Sequence, residues 1–143
     1  MEHADIAARI PHSGGMCLLQ RLEAHDDRQI RCSVSSHRDA DNPLRLDGML
    51  PAACGVEYAA QAMALHGALA APPGSAPTPG FLASVRSVRL RVARLDEVAG
   101  DIQVGAERLA GDTRQALYAF ALHSAQGELL VEGRATVILN ALP

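Results

Sequence analysis

The sequence has no tryptophan and no lysine, and its aromatic residues make up only 3% of the 143 positions. A core built from it must therefore be aliphatic: Leu, Val, Ile and Ala. All 13 basic residues are arginine, and the net charge of -3 leaves no basic footprint for nucleic acid. We read the arginine-for-lysine bias, beside abundant alanine, as genomic composition. No run reaches the ~18 consecutive apolar residues of a membrane helix, and no charged-then-apolar segment opens the chain. The expectation is a cytoplasmic protein without membrane or nucleic-acid partners. The three cysteines, Cys17, Cys32 and Cys54, are odd in number and widely spaced, with no CxxC pair. They read as small, reduced, partly buried residues. A reactive Cys54 near a helix start is the sharper alternative, because a helix N-terminus favours the thiolate. No histidine, cysteine and carboxylate set has metal-ligand spacing.

What is present is a chain 48% apolar and of one-domain length, so the expectation is a single domain over residues 1–143. Residues 4–10 suggest a short helix closed by Pro11, and 12–15 (HSGG) a turn. Within 23–34, Ile30, Cys32 and Val34 alternate with Arg31 and Ser33, a strand pattern. Residues 35–42 are polar and turn-like. Residues 51–69 form the one long helix. Pro51 suits its first turn, its residues are strong helix formers, and apolar side chains run nearly all the way round. That pattern argues for burial. After the Pro/Gly-rich stretch 71–80 come four strand-like runs, over 81–95, 101–109, 115–123 and 129–139, with short turns at 110–112 and 126–128. In the first run Val88, Leu90 and Val92 alternate with Ser87, Arg89 and Arg91. The order predicts an α+β architecture: a curled antiparallel sheet of about five strands wrapped round one buried helix.

Two segments carry a resemblance. IPHSGGMCLL, residues 10–19, resembles the entrance motif of the 3-hydroxyacyl-[acyl carrier protein] dehydratases, which have the hot dog fold. NPLR at 42–45 and DGMLP at 47–51 resemble that family's NPxFxGHFP and DGHLP forms. DGMLPAACGVEYAAQ aligns without a gap with DGHLPGWYALELMAQ, the form found in dehydratase-like proteins of aryl polyene gene clusters. The resemblance covers nearly the whole chain. It implies that Glu57 is the catalytic acid, with Gln61 one turn later beside it. It also implies a site at a dimer interface, and an acyl group carried on the phosphopantetheine of an acyl carrier protein with no other cofactor. One position departs: where the family has the histidine that removes the α-proton, this chain has Met49.

Dehydration of a 3-hydroxyacyl thioester needs a base at the α-carbon and an acid at the leaving hydroxyl. It also needs hydrogen-bond donors where enolate charge builds up. Unpaired amides at a helix N-terminus are such donors. Here they are those of Ala52, Ala53 and Cys54, just after Pro51. Glu57 follows them, and an apolar surround favours the neutral, proton-donating form of a carboxyl. The plainer reading is a helix-start carboxylate stabilised by the macrodipole. Gln61, at i+4, either bonds Glu57 or substrate, or is a partly buried helix amide. His37 is the candidate replacement base, against the plainer reading of an exposed loop histidine. His12 reads as a structural hydrogen-bonding residue, and His66 points away from Glu57 on the helix. Arg86, Arg89, Arg91 and Arg94 form either a solvated strand face or a docking surface for an acidic carrier protein and its phosphate.

Met49 beside a retained Glu57 suggests that a homodimer lacks the complete pair, whereas a heterodimer with a related hot dog subunit assembles one complete site. Two rival functions remain open from sequence. One is a hot dog thioesterase in which Glu57 activates water. The other is a degenerate subunit that pairs with an active dehydratase.

Overall fold

The computed structural model describes residues 1–10, 16–70 and 80–139. Its elements are α1 (His3–Ala7), β1 (Arg21–His25), β2 (Gln29–Val34), α2 (Gly55–Ala70), β3 (Gly80–Leu90), β4 (Ile102–Gly111), β5 (Gln115–His123) and β6 (Leu129–Leu139). Short 3-10 turns lie at Ser36–Arg38 and Ala52–Cys54. The strands form a six-stranded antiparallel sheet in the order β1-β2-β4-β5-β6-β3.

The period-2 pattern places one row of β2, β4 and β5 against the helix. Ile30, Cys32 and Val34 of β2, Ile102, Val104 and Ala106 of β4, and Ala116, Tyr118, Phe120 and Leu122 of β5 are all buried. Polar side chains staple the hairpin turns. Asp26 accepts the Arg28 and Gln29 amides (both 2.8 Å) between β1 and β2. Asp112 does the same for Arg114 and Gln115 (2.7 and 3.0 Å) between β4 and β5. Ser124 takes the Gln126 and Glu128 amides between β5 and β6. Such local bonds are why Asp and Ser favour turns.

The expected architecture is present, with three differences of detail. The sheet, expected at about five strands, has six. The extra one is β1, whose exposed RLEAH residues carry no alternation and whose pairing is bulged between Leu22 and Ala24. The apolar alternation at Val88 and Leu90 does not mark buried positions: both are exposed, and the strand is irregular between Arg86 and Arg89, with Ser87 at φ 55°. Third, α2 is not covered on every side. Tyr58, Ala59, Ala62, Met63 and Leu65 are buried, but Val56, Glu57, Ala60 and Ala64 form a half-exposed row along one flank. The sheet contributes β2, β4 and β5 to the covered side. No helix among the described residues is long and apolar enough to cross a membrane.

Candidate functional site

The site begins at a two-residue turn. Leu46 and Met49 exchange backbone hydrogen bonds (2.8 and 2.9 Å), and the central pair, Asp47 and Gly48, both have positive φ (50° and 78°). That is the Asp-Gly signature of a type I′ turn. Met49 therefore stands at the end of a tight hairpin, 42% exposed, with Leu46 more exposed beside it. The chain then pairs with the segment after β3: Leu95 N–H donates to the Leu50 carbonyl (2.8 Å) and Ala52 N–H to that of Ala93 (3.1 Å). Asp96 closes this clamp by accepting the Leu50 amide (2.9 Å), while Arg94 holds the same carboxylate through Nε and Nη2.

Pro51, half-buried, leads into the 3-10 turn that opens α2. Of the three amides expected to be free, two are taken: Ala52's by Ala93, and Cys54's by the Pro51 carbonyl (3.0 Å). The Ala53 amide makes no backbone hydrogen bond among the described residues, and Ala53 is exposed. Gly55 follows at a close approach to the sheet. A Cβ there would sit 3.2 Å from the side chains of both Leu122 and Val131. The small residue brings the helix start down onto β5 and β6.

Glu57 is half-buried on the open flank of α2. Gln61 is fully buried and ties three things together. Its Oε1 accepts the Leu18 amide (2.8 Å), and its Nε2 donates to the Met16 carbonyl (2.6 Å) and toward Glu57 Oε1 (3.4 Å). The helix amide is thus a strut between the segment 16–18 and the acid. A second network locks the same segment from the other side. Ser36 Oγ donates to the Leu18 carbonyl (2.8 Å), so the Tyr58 hydroxyl donates to Ser36 (3.0 Å) and accepts from Asn42 Nδ2 (3.0 Å). Asn42 also donates to the Ser36 carbonyl and accepts the Leu44 amide.

The other sequence candidates fall elsewhere. His37 is not an exposed loop residue: it is fully buried, its Nε2 donates to the Val98 carbonyl (3.1 Å), and its Nδ1 has no hydrogen-bond partner among the described residues. Burial pushes its pKa down, so the ring is neutral near pH 7. Cys54 is the reverse of an activated thiol. Burial, then the nearby Glu57 charge, raise its pKa. Cys32 is pushed up to about 12 by burial. His66 is structural, between the Tyr118 hydroxyl (2.7 Å) and the Asp26 carbonyl (2.8 Å). His12 lies outside the described residues. Arg91 bonds Glu132 (3.4 Å) and Arg94 bonds Asp96, while Arg86 and Arg89 are exposed, Arg86 directly opposite Arg134 of β6.

Asp96 and Tyr58 were not singled out from the sequence, and Asn42 entered only as the first residue of the NPLR segment. Tyr58 had a signal: in a chain with only two tyrosines, each on an apolar element, a buried hydroxyl needs partners. Asp96 had none, since its role depends on a contact 46 residues away.

A family model described as ApeP-like, ApeP dehydratase, matches residues 4–141. No curated protein matches the chain. Among solved structures, one similar to this chain is the dehydratase heterocomplex ApeI:P from Xenorhabdus doucetiae (TM-score 0.82, 23% identity, 94% of this chain and 90% of that chain). A mutant thioesterase from Pseudomonas aeruginosa is similar at TM-score 0.68 and 16% identity, over 97% of this chain and 94% of that one. A thioesterase from Haemophilus influenzae is similar at TM-score 0.61 and 14% identity, over 82% and 76%. At these identities the structural likenesses establish the hot dog fold.

Proposed function

Because this chain belongs to the ApeP-like dehydratase family, we propose that it contributes the acid half of a 3-hydroxyacyl-carrier-protein dehydratase. In this reading Glu57 is the proton donor, and a related hot dog subunit supplies the base that Met49 cannot. The observation that carries it is Gln61. A fully buried amide spends its bonds on Met16, Leu18 and Glu57, so the acid is held at a fixed place on the one flank of α2 that the sheet leaves half open. Met49 has no basic group, and its exposed position on a turn suits contact with a second subunit.

In the proposed reaction a partner histidine removes the α-proton of the thioester. Charge develops on the thioester oxygen and is stabilised by a backbone amide, for which Ala53 is the unoccupied donor. The Cα–Cβ double bond forms as the C3–O bond breaks. Glu57 gives its proton to the departing hydroxyl, and water leaves. The histidine's proton returns to Glu57 through solvent, completing the cycle. The acyl group rides on the phosphopantetheine of an acyl carrier protein. Exposed Arg86, Arg89 and Arg134 fit an acidic carrier and its phosphate. The heterocomplex found for the similar Xenorhabdus doucetiae protein supports a heterodimer over a homodimer. We assign the activity to an aryl-polyene or other fatty-acid-like pathway.

The test is dehydration of a short 3-hydroxyacyl carrier protein, read by mass spectrometry. The arms are the chain alone, Glu57→Gln and Met49→His. The expected result is no loss of water alone and a gain with Met49→His that Glu57→Gln abolishes. Turnover by the chain alone at an enzyme-like rate overturns the need for a partner base. Release of free carrier thiol identifies a thioesterase instead. Acyl binding without turnover in any arm, and none after a related histidine-bearing hot dog subunit is added, identifies a degenerate subunit.

A further inference from the structure

Asp96 stands apart from the groups so far given a chemical role. Its side chain is only 6% exposed, although it sits in the loop after β3. One oxygen accepts the Leu50 amide at 2.9 Å, and Arg94 reaches both oxygens. Leu50 follows Met49 directly and is itself fully buried. The backbone bonds Leu95 to Leu50 and Ala52 to Ala93 run alongside. A near-buried carboxylate on a backbone amide is a strong, short-range constraint, because the charged acceptor roughly doubles the strength of an ordinary hydrogen bond.

We propose that Asp96, braced by Arg94, is a positioning residue for the proposed dehydration site. It fixes the backbone between the end of the turn at residue 49 and the Ala53 amide. This rests on the dehydratase reading above. The turn 46–49 has its own two backbone bonds and keeps its shape unaided. Without Asp96, its direction relative to α2 rests on the Leu95–Leu50 and Ala52–Ala93 backbone bonds alone. The donor at Ala53 and the side chain at 49 lie on either side of Leu50, so a swing of this segment misplaces both. Glu57, held by Gln61, stays where it is.

The test has two arms on the full-length chain. The first is amide hydrogen exchange by NMR. Asp96→Ala is expected to speed exchange at Leu50 and Ala52 by about tenfold or more, as expected for a lost charged hydrogen bond, with β4 and β5 amides unchanged. Asp96→Asn keeps one acceptor oxygen and is expected to recover most of the protection. Exchange that is unchanged at Leu50, or faster throughout the sheet, overturns the positioning role. The second arm adds the same substitutions to Met49→His and measures dehydration of a 3-hydroxybutyryl carrier protein. Asp96→Ala is expected to lower kcat at least tenfold with KM within about twofold, and Asp96→Asn to restore it. Full activity of Met49→His with Asp96→Ala overturns the role in the reaction. If Met49→His is itself inactive, the dehydratase reading has failed, and the exchange arm still decides whether Asp96 fixes the segment.

Discussion

Replacing Gln61 by methionine removes a strut while nearly keeping its volume. The Leu18 amide loses its acceptor in a place that is 1% exposed, where water does not reach it. The Met16 carbonyl loses a 2.6 Å donor, but Met16 is exposed and solvent can partly compensate. A buried group left unpaired costs about 1–3 kcal/mol, and a partly solvated one about 1. The sum is about 2–4 kcal/mol. At roughly 3–5 °C per kcal/mol for a chain of this size, the melting temperature should fall by about 6–20 °C. Urea unfolding followed by circular dichroism measures it, with Ala64→Met on the half-exposed flank as a control expected to change stability by under about 0.5 kcal/mol. A loss below about 0.5 kcal/mol for Gln61→Met would refute the strut and with it the claim that Glu57 is held from behind.

Gly133→Ala would place a Cβ 2.7 Å from Phe120 Cζ, so overpacking should cost about 1–3 kcal/mol in urea unfolding, and a neutral result would mean the ring has room to move. The Arg94 guanidinium, with help from the Leu50 amide, holds the Asp96 carboxyl well below the usual carboxylate range. Its contribution is therefore present above the unfolded value of about 3.9 and drains away as pH falls. Asp96→Asn should be less stable than the parent at pH 7, with the deficit shrinking steadily as pH falls from about 4 toward 2, and a deficit that does not shrink over that range would contradict the assignment. Because burial raises the Cys54 thiol, iodoacetamide at pH 7 should modify it more slowly than free cysteine, and faster labelling would restore the reactive-thiol reading.

The arrangement of helix and sheet was legible because its signals are local. Alternation in β2, β4 and β5, turn residues at Asp112 and Gly127, and an alanine-rich helix after Pro51 all act within a few positions. β1 was not legible: an exposed, bulged edge strand needs no apolar row. Val88 and Leu90 misled for a related reason. Alternation marks a face, and which face is covered depends on neighbours that a β-bulge can shift. At the site, the pairing of Gln61 with Glu57 followed from i+4 spacing. The rest did not, since Gln61's shorter bonds go to Met16 and Leu18, and Asp96 and Asn42 act across the fold. His37 looked exposed because its neighbours are polar, yet it is fully buried, with its ring on the Val98 carbonyl and its own carbonyl accepting from Arg45.

The two halves of the proposed chemistry are embedded differently in the molecule. Residue 49 ends a turn closed by main-chain bonds, so most side chains fit there at little cost to folding. Gln61 is welded into the packing between α2 and the segment 16–18. On the proposed reading, the side chain at 49 can therefore change with little effect on folding, while the packing that holds Glu57 from behind cannot. The stability of the fold and the identity of the residue at 49 are thus uncoupled, so the proposed base can be put back by Met49→His without disturbing what holds Glu57.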